Sequence, residues 1–151
     1  MKHFILCLSI LSLTNGYSQS TTKTNYQDSL AKVLGADDYG MKQYVFVILK
    51  KGEQRNQSKE EIERIQQGHM YNIQYLSSTG KMVLAGPMMD DEDTRGIFIL
   101  DVQNMEEAEQ LISVDPAITS GRLKAEFFSW YGSAALKKIP EIHESIQKNK
   151  F

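Results

Sequence analysis

Hydrophobic and polar positions follow two different periodicities along this chain, one typical of strands and one typical of helices. Four short apolar runs predict β-strands. The first and third runs are rich in β-branched and aromatic residues, which favour extended backbone. Only a short acidic turn separates the second run from the third, so a hairpin between them is the economical pairing. The four predicted strands are Tyr44–Leu49, Met82–Ala85, Gly96–Val102 and Leu123–Trp130, and Gly86-Pro87 is expected to stop the second.

The clearest helical pattern begins after Ser58 and continues to about Thr79. Ser58 and Glu61 form an S-x-x-E capping box, in which each side chain satisfies a backbone N–H at the start of the helix. Gly80 follows as a residue that readily adopts the left-handed conformation at a helix end. One apolar stripe runs along this helix at positions Ile62, Ile65, Ile73 and Leu76.

A second helix is predicted after Asn104, which is a favourable N-cap residue and is followed three positions later by Glu107. Asp115-Pro116 ends this helix and can start a short turn. Beyond the fourth strand, the tail is expected to be helical, with Pro140 in the first position of a last helix.

The resulting order is β-α-β-β-α-β, which predicts an α+β, ferredoxin-like domain. The first strand is apolar on both sides, because Tyr44, Phe46 and Ile48 alternate with equally apolar neighbours. Two helices cover only one face of a four-stranded sheet, so the other face needs a partner. The pattern therefore predicts a homodimer through the sheet face.

The N-terminus departs from this pattern. Lys2 and His3 precede the apolar run Phe4–Leu13, and small and polar residues follow through Ser18. This layout predicts a signal peptide over residues 1–18 and a periplasmic or secreted mature protein. The alternative is a buried N-terminal strand or helix. Removal of the peptide would take Cys7 with it, leaving no cysteine for disulfides, zinc-thiolate sites or nucleophilic catalysis.

Composition narrows the possible partners. The 151 residues suit one domain, and 17 scattered basic residues against 19 acidic ones argue against a nucleic-acid surface. No stretch reaches the roughly 20 apolar residues of a membrane span. The acidic run Asp90–Asp93 lacks the alternating ligands of a calcium loop and favours a solvated turn. We expect no metal and no cofactor.

His69 is the candidate with the most distinctive position, because it falls in the middle of the apolar stripe of the first long helix. A polar, titratable group there is buried or lines a pocket, and it needs a hydrogen-bond partner. The alternative is a core histidine satisfied by a backbone carbonyl. His143, in the tail, is expected at the surface.

Asp115 and the Gly86-Pro87 pair are the other candidates. If both helices pack side by side, the Asp115 carboxylate could orient the His69 imidazole and favour its protonated form. Asp115 has an equally good interpretation as the N-cap of a short turn. Gly86 could simply end a strand, or it could let a ligand approach the backbone together with Pro87.

These residues in this order resemble the YCII-related (YciI-like) family. The resemblance rests on the strand Tyr44–Leu49, the helical segment His69–Leu76, and Ala-Gly-Pro87, then Asp115-Pro116, Gly121 and Phe128-Ser-Trp130. It implies a YCII-related domain over residues 42–131, between a polar lead-in at 19–41 and a helical tail at 132–151. It also implies a dimeric α+β barrel and a His–Asp site, which maps onto His69 and Asp115 as the candidate catalytic pair.

Two functions from different classes fit these observations. In the first, a small cyclic or aromatic molecule binds between helix and sheet, and His69 carries out proton transfer in an isomerisation or elimination. In the second, the protein is a non-catalytic ligand-binding or dimerisation module, with Asp115 turned away as a cap. Haem ligation by His69 is a third, weaker alternative. Relatives of this fold include muconolactone-isomerase-like enzymes and a dehydrochlorinase of chlorinated aromatic rings.

Overall fold

The computed structural model describes residues 25–149, so the predicted signal peptide lies outside the described residues. Within that range the elements follow the predicted order, the tail after the last strand is helical as expected, and short helices also precede the first strand and follow the second long helix. In chain order they are α1 (Asp28–Leu34), β1 (Met41–Lys51), α2 (Lys59–Ser78), β2 (Met82–Pro87), β3 (Thr94–Leu100), α3 (Met105–Ser113), α4 (Pro116–Thr119), β4 (Leu123–Ser133), a 3₁₀ helix (Ala134–Lys138) and α5 (Ile139–Ile146).

The four strands form one sheet in the order β2-β3-β1-β4, and every neighbouring pair is antiparallel. This is the strand order of a ferredoxin-like α+β fold, so the predicted fold class is confirmed. The predicted hairpin between β2 and β3 is also present.

Two strands extend further than the apolar runs predicted. β1 and β4 pair over their full length, from Met41 opposite Ser133 to Lys51 opposite Leu123. The hydrophobic pattern did not predict this extension because the residues at the ends of β1 are polar, but backbone hydrogen bonds between the two strands continue through them. β2 likewise extends beyond Ala85, because it includes Gly86 and Pro87 and ends at Pro87; as an edge strand it tolerates a proline without losing a ladder hydrogen bond.

The main core lies between the sheet and the helices α2 and α3. Alternate residues of β1 point into it, and Leu76 of α2 and Ile112 of α3 are almost completely buried against them. Ser58 caps α2 through the predicted capping box, and Gly80 just beyond the helix has a φ of 71°. The capping box and the glycine thus define the two ends of α2.

The second face of the sheet is covered in part by the chain itself. Leu136 of the 3₁₀ helix packs against a small cluster formed by Tyr44, Val83 and Ile99. The 3₁₀ helix therefore covers one portion of the face on which the second copy is predicted to pack, and the homodimer stays a prediction. Phe128 and Trp130, on the same face of β4, remain 45% and 37% exposed.

Within the described range, no helix combines the length and the apolar character that a bilayer crossing requires.

Candidate functional site: a buried His–Asp pair at an open cavity

His69 and Asp115, which are 46 positions apart, meet under α2. His69 lies past the middle of α2 on the side that faces the sheet, and Asp115 lies between α3 and α4. The histidine is 9% exposed and the aspartate is completely buried. The structure thus brings together the two residues that the sequence singled out.

The contact between them uses one ring nitrogen. His69 Nδ1 lies 3.0 Å from Asp115 Oδ1 and 2.9 Å from Oδ2. Because a carboxylate only accepts, Nδ1 carries the proton in this arrangement and donates it. In the neutral ring, Nε2 then holds the free lone pair.

Asp115 also caps α4, so it makes both the contact with His69 and the N-cap that the sequence suggested. Its Oδ1 accepts a hydrogen bond of 2.8 Å from the backbone N–H of Ala117, and Pro116 takes the first helical turn. The backbone N–H of Asp115 itself donates to the carbonyl of Ile112 at 3.1 Å. The carboxylate is therefore anchored by the backbone as well as by His69.

Asn72 is a third member of the site that sequence reasoning missed. Its side-chain amide donates to Asp115 Oδ2 at 3.0 Å, and the residue is 9% exposed. Asn72 lies one helical turn after His69, so a polar residue at i+3 from a buried histidine was the available signal. With Ala117 and His69, it gives the buried carboxylate three hydrogen-bond donors.

Close packing of α2 on α4 sets the spacing of the pair. Gly68 lies against Pro116, and a Cβ atom on Gly68 would come within 2.6 Å of the proline Cγ. Only glycine lets the two helices approach this closely, and the contact involves the residues next to His69 and Asp115 in sequence.

His69 borders an open cavity of about 1460 Å³ between α2, β2 and the tail. Nε2 has no hydrogen-bond partner within residues 25–149, and no fully buried side-chain nitrogen or oxygen there lacks one, so Nε2 is accessible. The Phe98 ring lies 6.0 Å from the imidazole, centroid to centroid. Apolar side chains that line the same cavity include Ile73, Met82 and Leu123.

The candidate ligand-binding residues Gly86 and Pro87 line the same cavity. A Cβ atom added to Gly86 would meet nothing within 4 Å, so the glycine leaves open space beside the backbone. The predicted binding role of this pair is compatible with that position.

The tail supplies a wall of the cavity, which the sequence did not predict. α5 contacts β2, and His143 lines the cavity although it is exposed as expected. Lys137 fixes the start of the tail through an ion pair of 3.2 Å with Asp101.

Other residues that the sequence raised have structural roles. Asp91, in the acidic turn, pairs with Lys51 and Arg95, and these partners lower the pKa of its carboxyl group. Trp130 packs beside Tyr44 on the second face, with ring centroids 5.9 Å apart. Among the residues described, no three His, Cys, Asp or Glu side chains gather as a metal site would require.

Comparisons with known proteins identify the domain. Residues 44–127, more than half of the 151, match the YCII-related domain. Among solved structures, the chain is similar to the 5-chloro-2-hydroxyhydroquinone dehydrochlorinase of Burkholderia phenoliruptrix AC1100 in complex with 2,5-dihydroxybenzoquinone, with 21% identity and a TM-score of 0.43 over 57% of this chain and 92% of that one. A comparison with curated proteins found no match. The chain belongs to the YCII-related domain family.

Proposed function

We propose that the cavity binds a small cyclic or aromatic molecule and that His69 transfers a proton on it as general base and acid. One observation carries this proposal: Asp115 holds Nδ1 of the imidazole, while Nε2 is accessible at a cavity large enough for a ring compound. A neutral histidine held in this way presents the lone pair of Nε2 to the cavity, where it can accept a proton.

The proposed chemistry begins when Nε2 takes a proton from a carbon of the bound molecule. The electron pair of the broken C–H bond moves into the ring system of the substrate. In an isomerisation, the imidazolium returns the proton to a different carbon. In an elimination, a leaving group departs with its own electron pair, and the proton on Nε2 later passes to solvent.

Asp115 acts as a positioning residue in this scheme. It is completely buried and stabilises the imidazolium that forms after proton transfer. Asn72 and the backbone of Ala117 hold the carboxylate in place, so little rearrangement accompanies the change in charge. The binding-only alternative expects Asp115 to point away from His69, and its contact with the histidine favours proton transfer instead.

The proposal includes a homodimer, formed through the part of the second sheet face that the tail leaves uncovered. Phe128 and Trp130 supply exposed aromatic surface there. It also includes export, with the mature chain beginning after residue 18.

The test measures proton exchange directly and uses three small ring compounds as probes. Cyclohexenone, a butenolide and a chlorinated hydroxyhydroquinone are incubated with the protein in D₂O, and loss of carbon-bound protons is followed by NMR. Exchange or chloride release above background is expected with at least one of the three. His69→Gln, whose amide can still donate to Asp115, should slow it by about 10²-fold or more.

The matched control is Arg64→Gln, on the exposed side of the same helix. Arg64→Gln should exchange protons at the wild-type rate. Equal rates in wild type and His69→Gln would contradict the proposal. A Soret band on addition of haem that disappears in His69→Gln would support haem ligation in its place.

A further inference from the structure

Four basic side chains gather at one end of the cavity. They are Lys51, Arg55, Arg95 and Arg122, which come from β1, the β1–α2 loop, β3 and the turn before β4. Asp91 is a carboxylate that lines the same end. In sequence these residues are scattered, and the pairing of β1 with β3 and β4 brings them together.

Two of these four cations are already paired, and two are not. Lys51 and Arg95 both contact Asp91, at 3.2 and 2.8 Å. Arg55 and Arg122 have no carboxylate within 4.0 Å among residues 25–149, and Arg122 donates only to the side-chain oxygen of Gln57, at 3.3 Å. Each guanidinium carries five N–H donors, so most of the donors on both side chains are unused.

Backbone contacts fix the relative position of the two arginines. Gly52 donates to the carbonyl of Arg122 at 2.9 Å, and Gln54 donates to the carbonyl of Gly121 at 3.1 Å. A Cβ atom on Gly52 would come within 2.1 Å of the Gly121 oxygen, so the two loops touch through glycine. Arg55 and Arg122 therefore lie on two loops that are joined by backbone hydrogen bonds.

We propose that this end of the cavity binds the carboxylate of a cyclic organic acid, with Arg55 and Arg122 as the residues that recognise it. Guanidinium groups bind carboxylates through parallel charged hydrogen bonds. Leu49, Leu123 and Phe98 line the cavity with them and give an apolar surface for the ring. The inference rests on the proposed function only in placing the rest of that ring at His69.

The experiment compares benzoate with its uncharged isostere benzamide, by calorimetry and by following the histidine signals in NMR spectra. Benzoate should bind at least about tenfold more tightly than benzamide, because charged hydrogen bonds add to the shared ring contacts. The preference should weaken with added salt, since the site is open to solvent.

Variants identify the residues responsible. Arg55→Gln and Arg122→Gln should each weaken benzoate binding several-fold, and the double variant should bind benzoate and benzamide equally. Benzamide affinity should stay unchanged in all three. Arg64→Gln removes an exposed arginine of α2 that does not line the cavity, and it should retain the full preference.

Three results would overturn this inference: equal binding of the two probes to the wild-type protein, no benzoate binding up to its solubility limit, or displacement of benzoate by far lower concentrations of inorganic phosphate. The third would indicate a phosphate site. The outcomes are independent of proton transfer. If the preference for benzoate over benzamide is lost in the double variant, the inference is supported even when His69→Gln exchanges protons at the wild-type rate. If benzoate and benzamide bind the wild-type protein equally and both shift the His69 signals, only the anion site is refuted.

Discussion

Replacing Asp115 by asparagine should separate the stability of the site from its chemistry. The carboxylate accepts from His69 Nδ1, Asn72 Nδ2 and the N–H of Ala117. Asparagine keeps one oxygen, which can still accept from Ala117. Its NH₂ group then faces His69 and Asn72 as a donor, where the carboxylate was an acceptor.

Both neighbours can adapt at modest cost. Asn72 can rotate its amide so that its oxygen accepts, and the imidazole can move its proton from Nδ1 to Nε2. At most one buried donor is then left unpaired, so Asp115→Asn should lose about 1–3 kcal/mol of unfolding free energy. Asp115→Ala leaves all three donors without an acceptor in a fully buried place, and should lose about 3–5 kcal/mol.

The chemical consequence is larger than the structural one. With its proton moved to Nε2, the neutral imidazole no longer presents a lone pair to the cavity. Proton exchange should therefore fall by about 10²–10⁴-fold in Asp115→Asn, although the protein stays folded.

Urea denaturation gives the unfolding free energies, and the D₂O exchange assay gives the rates. Asp38→Asn serves as the control, because Asp38 is an exposed carboxylate distant in sequence from the site. An Asp115→Asn protein that exchanges protons at the wild-type rate would refute the proposed role of Asp115. A loss of stability as large as that of Asp115→Ala would refute the adaptation of the two neighbours.

Other changes test further parts of the structure. Gly68→Ala should lower unfolding free energy by about 1–2 kcal/mol in urea, since the new methyl group meets Pro116, and should slow proton exchange. The hydrogen bond from Lys81 lowers the pKa of Glu107 in the folded protein. The stabilisation from this contact is therefore present above the unfolded-state pKa of about 4.3 and is lost as the pH falls through the folded-state pKa. Glu107→Gln should consequently reduce the loss of unfolding free energy at acid pH. Phe128→Glu should convert a dimer to a monomer in light scattering. Mass spectrometry of the exported protein should find a chain that begins near residue 19.

Each of these has its own control or contrary result. Gly86→Ala meets no atom within 4 Å and should keep wild-type stability. Glu109→Gln, an exposed residue of α3, should leave the loss of unfolding free energy at acid pH unchanged. A wild-type protein that scatters as a monomer at micromolar concentration would contradict the dimer. A full-length chain in the exported fraction would contradict cleavage.

The fold could be predicted from sequence because local signals agree with the tertiary structure. The capping box at Ser58 and the glycine at position 80 mark α2 to within a residue. The strand ends were harder, since ladder hydrogen bonds extend β1 and β4 into polar residues that carry no hydrophobic pattern. The place of the tail was not predictable, because the packing of Leu136 depends on a surface that exists only once the sheet forms.

The residues of the site could be predicted from the sequence, but their contact in space could not. His69 stood out as a polar residue in an apolar stripe, and Asp115 stood before a proline. Their contact depends on the approach of α2 to α4 at Gly68 and Pro116, a tertiary feature without a local signature. The basic end of the cavity was not predictable for the same reason, since Arg55 and Arg122 are far apart in the chain.

The protonation of the His69 ring tests the central claim most directly. Long-range ¹H–¹⁵N NMR spectra of the histidine side chains distinguish a proton on Nδ1 from one on Nε2. At a pH where the ring is neutral, the wild-type protein should show His69 with its proton on Nδ1 and a free Nε2, and Asp115→Asn should show the reverse. A wild-type His69 that carries its proton on Nε2 would contradict the account, because the nitrogen at the cavity would then have no lone pair to accept a proton.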